Sequence, residues 1–469
     1  MIGGINRIVV VGGGISGLAA AHRLSELSQN NHVTLIEASP RLGGTIQTKH
    51  RDGFLLEHGP DSFISEKPEA LALAKRLGLE SQLIQTNEEH RRSFIVRNGR
   101  LRRVPEGFQL LAPSQIWPFV TSDIFSLAGK ARMAADLFLP RKSTNGANDE
   151  SLASFVRRRL GKEALERMAQ PMVGGIYTAD PETLSLRATL PRFLDMEQKH
   201  RSLILAMLRQ SRAQKSGASG ARYSLFLSFD RGMQVLVDKL AQLKIDIRLN
   251  TRAARLELAG PTWTITTNTG EQFTADAVCL ALPAYVAAAL LNDTNKDLAS
   301  KLNQIKYAST ATINFGYRRT GIAHPLDGFG FVVPFTEKRS LIACTFSSVK
   351  FRGRAPDDHV LLRAFAGGAL QPTIFALDED ELVTRVEADL RELLGINANP
   401  LFTEVAKWER SMPQYEVGHL DRITEIDTLL TKLPGLALAG NAYRGAGIPD
   451  CIRSGETAAE TLLPFGFSL

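Results

Sequence analysis

The feature that most restricts this chain lies near its start. There, Arg7-Ile-Val-Val-Val11 runs into Gly12-Gly13-Gly14-Ile15-Ser16-Gly17 and then into an Ala/Leu-rich stretch to about Ser28. A short β-branched run closed by glycines reads as a buried parallel strand, and the stretch behind it as a helix. Gly12 permits the tight turn, Gly14 lets the backbone approach a pyrophosphate, and Gly17 lets the helix pack closely on the strand. The phosphates of a dinucleotide then sit on the helix N-terminus, against the backbone of Gly13, Ile15 and Ser16. A second strand, His32 to Ile36, ends in Glu37, twenty residues beyond Gly17, where a ribose-binding acid belongs.

The segment after Glu37 selects the dinucleotide. In Ala38-Ser-Pro-Arg41-Leu-Gly43-Gly44-Thr45 a second glycine pair, preceded by arginine, makes another close backbone approach to phosphate with a guanidinium beside it. A nicotinamide enzyme has no use for that, so FAD is expected. The arrangement Glu37…Arg41-x-Gly43-Gly44 resembles the flavoprotein group of amine oxidases, phytoene desaturases and protoporphyrinogen oxidases. Three later segments read as strands for the same sheet: Ile245 to Asn250, followed by the turn to Ala253; Phe273 to Ala281; and Leu436 to Ala439. The last runs into Gly440-Asn441, then Gly445-Ala446-Gly447-Ile448-Pro449 and a helix to about Leu463, with Pro449 suited to its first turn.

Length sets the scale of the remainder. With 469 residues the chain has room for about two to four domains. A composition of 44% apolar and 22% charged residues excludes disordered and collagen-like classes. Lys and Arg (56) outnumber Asp and Glu (49), giving +7 and a pI near 9.3. That balance favours an anionic ligand or surface. The longest apolar stretch, Ala277 to Leu291, contains Pro283 and is too short for a membrane span of roughly 20 residues. The apolar run Ile8 to Val11 ends in glycines, so no cleavable leader is expected. Cys279, Cys344 and Cys451 are an odd number without metal-ligand spacing, which fits a reducing compartment.

The expected fold is α/β: a Rossmann-type FAD-binding domain assembled from residues 1–85, 230–295 and 430–469. A mixed α+β substrate-binding domain takes 86–105, 175–229 and 296–429, and a helical subdomain takes 106–174. Strand-like runs Thr310 to Tyr317, Gly330 to Pro334 and Val360 to Phe365 suggest an antiparallel sheet. Pro105 to Pro140 carries aromatics that look exposed (Phe108, Trp117, Phe119, Phe125, Phe138) beside Arg and Lys. This segment reads as a membrane-surface contact or as ordinary core. Arg141 to Glu150 reads as a polar linker and Gln214 to Ala221 as a flexible loop.

Five ordered segments narrow the likeness: Glu57-His-Gly59-Pro60-Asp61-Ser62, Gly175 to Pro181, Gly328 to Pro334, Met412-Pro-Gln-Tyr415, and Gly447 to Ile452. Together they resemble the oxygen-dependent porphyrinogen oxidases of haem synthesis, which act on protoporphyrinogen or coproporphyrinogen III. The resemblance implies removal of six hydrogens from a porphyrinogen by repeated two-electron transfer to non-covalent FAD, with O₂ as acceptor and hydrogen peroxide as by-product. It places Gly59 to Ser62, the backbone of Ala253, Trp408, Gly440 and Ala446 to Ile448 on the flavin side, and Gly175, Val332 and Phe365 on the macrocycle side. The cysteine usage leads to the expectation of a cytoplasmic protein, the Pro105 to Pro140 segment to that of a peripheral membrane contact, and the order of the pathway to that of a ferrochelatase partner; nucleic acid and metal are not expected.

No acid–base pair stands out, because His22, His58 and His419 occur singly, and no catalytic residue is assigned. Many protoporphyrinogen oxidases place an arginine where this chain has Ser93, next to Arg92. Proteins resembling the Firmicute-type enzyme also lack it, and that type prefers coproporphyrinogen III. Three alternatives stay open: an amine oxidase with flavin bonded to Cys451, a non-catalytic flavin-binding assembly factor, and a nicotinamide dehydrogenase.

Overall fold

The computed structural model describes residues 6–27, 30–142, 149–215 and 225–463. β1 (Asn6–Val11), α1 (Ile15–Leu27) and β2 (Asn31–Ile36) succeed one another as the glycine junction requires. β1 is the middle strand of a five-stranded parallel sheet in the order Asp246–Arg248, β2, β1, Ala277–Leu280, Leu436–Leu438. Ile8 and Val10 point into one core with Leu18 and Leu24 of α1 and with Ile452 and Ala459 of the C-terminal helix Ile448–Leu462. Val9 and Val11 point into a second core with Val278, Leu280 and Leu291. Burial on both faces is why the strand reads as a continuous apolar run rather than an alternating one.

All three late strands expected in this sheet are in it, with one correction. Phe273 to Ala281 is two strands. Gln272–Ala275 closes a separate antiparallel sheet with Ala253–Ala259 and Thr262–Thr267, and Ala277–Leu280 enters the parallel one. The break falls at Asp276, whose carboxylate takes the Arg7 backbone N–H at 2.9 Å and its guanidinium at 2.8 Å. An acid that must stay paired cannot continue into a strand buried on both faces.

The second sheet has seven strands, in the order Phe402–Pro413, Tyr307–Arg318, His359–Gly367, Ala343–Phe346, Gly330–Val332, Phe94–Arg97, Arg100–Arg103. It is antiparallel except where Gly330–Val332 meets Phe94–Arg97, a hairpin from far earlier in the chain. Leu362, Ala364 and Ala366 face a core under the helix Glu379–Leu394. Strand alternation therefore turns Arg363 and Phe365 to the opposite face, toward the rest of the molecule.

A helical cluster covers the far end of that face, and Ile95 and Val332 pack against it. It is organised around a buried ion pair. Arg159 donates from Nε to Asp136 at 2.7 Å and from Nη1 to the Pro140 carbonyl at 2.9 Å, while Asp136 also accepts from Ser202 and the Ile204 N–H. The expectation of exposed aromatics is corrected for two of them: Phe119 and Phe125 are 6% and 3% exposed in this core, and Phe108 packs against it. Trp117 and Phe138 are 75% and 81% exposed. Leu227 and Phe229, assigned by sequence to the substrate portion, pack into the core of the parallel sheet, and Leu203 and Met207 pack into the helical cluster.

Gln214 and Lys215 close the helix Leu203–Lys215. The rest of that expected loop, and residues 143–148 of the expected linker, lie outside the described residues. Among the described residues no helix is long and apolar enough to cross a membrane, and no cluster has metal-ligand character.

Candidate functional site

The two glycine turns meet. Gly43 N–H donates to the Gly13 carbonyl at 2.8 Å, and Gly14 and Gly43 form an isolated parallel bridge. Gly12, at φ +107°, passes so close to Ala281 that a Cβ would stand 2.4 Å from its carbonyl oxygen, and a Cβ on Gly17 would strike the Gly12 carbonyl at 1.9 Å. A Cβ on Gly14 would meet nothing within 4 Å. The turn is packed shut where strand and helix touch and open where a phosphate would approach the N–H groups of Ile15 and Ser16 in the first turn of α1.

Glu37 accepts the Gly13 N–H at 2.7 Å and the Ser39 N–H at 2.8 Å, so its carboxylate ties the first glycine turn to the segment that follows β2. The strand edge beyond it is tied across, Glu37 N–H to the Arg248 carbonyl and Thr251 N–H to the Glu37 carbonyl, both at 2.8 Å, which brings Ala253 to this end. The Arg41 guanidinium donates to the carbonyls of Leu42, Gly44 and Ile46 and so holds its own loop, the second glycine turn.

Behind the turns lies a charged layer that sequence reasoning missed. Asp61 is gripped by Lys350, at 2.9 Å from Nζ to Oδ2, and by Arg363 at 3.4 Å. Burial would raise its pKa, but these two cations outweigh that and hold the carboxyl well below the usual range. Arg363, only 4% exposed, also donates to the Gly59 carbonyl and lies 4.7 Å from the Phe365 ring centroid. Glu57 accepts the Met233 N–H and the Thr48 hydroxyl, each at 2.8 Å, and burial pushes it up to about 7. A Cβ on Gly59 would stand 1.7 Å from the Thr45 carbonyl, so Gly59, Pro60, Asp61 and Ser62 run directly against the second glycine turn. One sequence signal for Arg363 existed: a lone charge inside the run Val360-Leu-Leu-Arg363-Ala-Phe365.

The last turn is held from beneath. The Tyr415 hydroxyl donates to the Asn441 carbonyl and accepts the Gly445 N–H at 2.9 Å. Its ring stacks on His419 at 4.2 Å, and His419 Nε2 lies 2.8 Å from the Tyr443 carbonyl. Burial pushes His419 down to about 4, so it is a neutral structural group. Gly440 N–H bonds to Ser454, and Gly447 leads into the C-terminal helix, which begins at Ile448 and buries Cys451. Trp408 donates to the His58 carbonyl at 2.9 Å, joining the seven-stranded sheet to the strand before Gly59.

On the other wall, Phe365, Ala343 and Val332 are in register across three neighbouring strands, and a Cβ on Gly175 would lie 3.7 Å from Val332. Gly175, Val332 and Phe365 thus share one wall. Ser93 and Arg92 sit at its rim. Ser93 is exposed, and Arg92 is paired with Asp327 at 3.1 Å, an acid shared with Arg103 at 2.7 Å.

The residues present fit a flavin nucleotide. The Gly14 face is open, and the buried Arg363 Nε and Asn314 Oδ1, register partners on that wall, have no hydrogen-bond partner among the described residues. Fold and site together are those of a nucleotide-binding flavoprotein, with a parallel sheet under the glycine turns and a seven-stranded sheet facing it. The model for the family of flavin containing amine oxidoreductases matches residues 15–463, and the chain belongs to that family. Along its whole length it is similar to porphyrinogen oxidases. It is 38% identical to a coproporphyrinogen III oxidase of Bacillus subtilis (strain 168), with 100% of each chain covered. It is 32% identical to protoporphyrinogen oxidase 1, chloroplastic, of Arabidopsis thaliana, over 96% of this chain and 87% of the relative. A crystal structure from Exiguobacterium sp. 255-15 that bears a protoporphyrinogen oxidase name superposes with a TM-score of 0.87 at 32% identity, over 97% of this chain and 98% of that one. Family membership indicates a flavin cofactor.

Proposed function

We propose that the chain oxidises a porphyrinogen to a porphyrin in haem biosynthesis, with coproporphyrinogen III preferred over protoporphyrinogen IX. The observation that carries this reading is the shared wall. The strand that sends Arg363 to the Gly59 carbonyl sends Phe365 one pleat further, in register with Ala343 and Val332 and facing Gly175. A flat macrocycle lies on such a wall, beside the cofactor, with no side chain at Gly175 to lift it off. When bound, FAD supplies the two-electron chemistry; three rounds remove six hydrogens, with three O₂ reduced to three hydrogen peroxide.

The protein's part is positioning. Lys350, Arg363 and Asp61 fix the Gly59–Ser62 segment, Tyr415 fixes the last turn, and Phe365 and Val332 hold the ring. No side-chain acid or base is invoked: His419 is buried and neutral, and burial likewise lowers His22 and His58. Non-covalent FAD accords with Cys451, which is enclosed and whose thiol burial pushes up to about 12. The preference for coproporphyrinogen III draws on the relative at 38% identity and on Ser93 at the rim, with Arg92 engaged by Asp327. Residues Ile116, Trp117, Val120, Leu127 and Phe138 would meet a membrane surface peripherally, and a ferrochelatase is the expected consumer of the product.

The test is aerobic oxidation of both porphyrinogens by the FAD-loaded chain, monitored by porphyrin fluorescence against an enzyme-free blank. The expected result is a kcat/KM for coproporphyrinogen III about tenfold or more above that for protoporphyrinogen IX. Equal or reversed values overturn the preference, and no turnover of either overturns the activity. Acid precipitation should release all the flavin into the supernatant.

A further inference from the structure

Beside the wall that carries Phe365 and Val332, at the end of the strand Phe94–Arg97, lies a cavity of about 250 Å³ lined by Arg97, Ile124, Arg167, Pro334, Thr336 and Glu337 among others. At about 30 Å³ per water this is room for a flexible arm and its hydration, not for a second ring system. Its position is set by the pleat. Ile95 is in register with Val332, and Arg97, two residues on and about 7 Å along the same strand, shares the face of Ile95.

The charges around this cavity are unevenly matched. Glu163 accepts the Ser126 N–H and hydroxyl and pairs with Arg167. Glu337 accepts the N–H groups of Asn98 and Gly99 at 2.8 and 3.0 Å. Asp123 pairs with Arg102 at 2.8 Å, and Glu166 with Lys162 at 3.5 Å. Arg97 Nη1, by contrast, is enclosed and has no hydrogen-bond partner among the described residues. An enclosed guanidinium N–H without an acceptor is an unmet demand for an anion, and a carboxylate meets it with charge-assisted geometry.

We infer that Arg97 binds a carboxylate of the substrate, a propionate arm reaching past Val332 from a macrocycle on the Gly175–Phe365 wall; this rests on the porphyrinogen reading above. The residue makes the contact from two pleats beyond Ser93, on the same side of the strand. Carboxylate recognition is thereby moved along the strand and does not disappear with the serine.

Arg97→Met, Arg97→Gln and Arg97→Lys in the FAD-loaded full chain test it. Binding of coproporphyrin III and of its tetramethyl ester is read by fluorescence, alongside kcat and KM for coproporphyrinogen III and a thermal melt. The expected result is about tenfold weaker binding of the acid in Met and Gln, with partial recovery in Lys. The ester should bind equally to all, KM should rise, and kcat should stay within about twofold. Unchanged acid binding in melt-competent Met and Gln variants overturns the inference, as does an equal loss for acid and ester. If the unaltered chain turns over no porphyrinogen yet acid binding still depends on Arg97, the activity reading has failed and the carboxylate site stands.

Discussion

Glu57 and His419 are buried groups whose protonation works in opposite directions. Burial pushes Glu57 up to about 7 from an ordinary 4.5, so the folded state holds that proton more tightly than the unfolded state does. Its contribution to stability is full below about pH 4.5 and is lost as pH rises through about 7, a swing on the order of 3 kcal/mol. His419, pushed down to about 4 from an ordinary 6.5, contributes fully above 6.5 and loses that contribution as pH falls toward 4. The two slopes overlap and offset each other between about pH 4.5 and 6.5. Glu57→Gln removes the alkaline-side loss alone, and the amide can still accept the Met233 N–H. The melting temperature of the variant relative to the unaltered chain should therefore climb between pH 5 and pH 8; a difference independent of pH would contradict the assignment.

Elements in this protein approach each other through missing side chains. α1 and the C-terminal helix pack so tightly that a Cβ on Gly455 would stand 2.1 Å from the Ser16 carbonyl oxygen. Ser16 lies in the first turn of α1, where the phosphates are expected, so crowding Gly455 shifts the cofactor site as well as the core. Gly455→Ala is expected to cost about 1–3 kcal/mol by overpacking. It should also speed flavin loss during gel filtration. A variant that melts normally and keeps its flavin would show that the helices have more freedom than this contact allows. The broken strand at Asp276 teaches the same point from the other side: a continuous β-like pattern in sequence was divided because one carboxylate found Arg7 at the rim.

Across the whole molecule, the parallel sheet brings the glycine turns to one edge, the seven-stranded sheet faces them, and the helical cluster closes the far end. Its outer surface leaves Leu127, Phe138 and Trp117 at 84%, 81% and 75% exposed. Each large apolar side chain buried in an interface contributes about 1.5–3 kcal/mol. Cosedimentation with anionic vesicles should therefore detect the unaltered chain, and Trp117→Ala with Phe138→Ser should weaken partitioning roughly tenfold or more. Equal sedimentation of both would assign the patch another role.

The features legible in the sequence were local or periodic. The strand, glycine turn and helix at residues 7–27 appear in the fold as read, and so do the late strands of the parallel sheet apart from the break at Asp276. Each is written in short-range steric requirements or in motif likeness. Only the tertiary structure decided that Phe119 and Phe125 are core and Trp117 surface, because these aromatics, on a short helix and the bend after it, differ by which of them join the core that holds Met133 and Phe155. It alone placed Lys350 and Arg363 on Asp61, residues 289 and 302 positions away, since an ion pair between segments so far apart in the chain leaves no periodic trace. It alone left Arg97 Nη1 enclosed and, among the described residues, without a hydrogen-bond partner while the carboxylates of Asp123, Glu163, Glu166 and Glu337 are engaged. A chain encodes the shape of its turns locally, but which charge is satisfied and which is left open depends on every element packed around it.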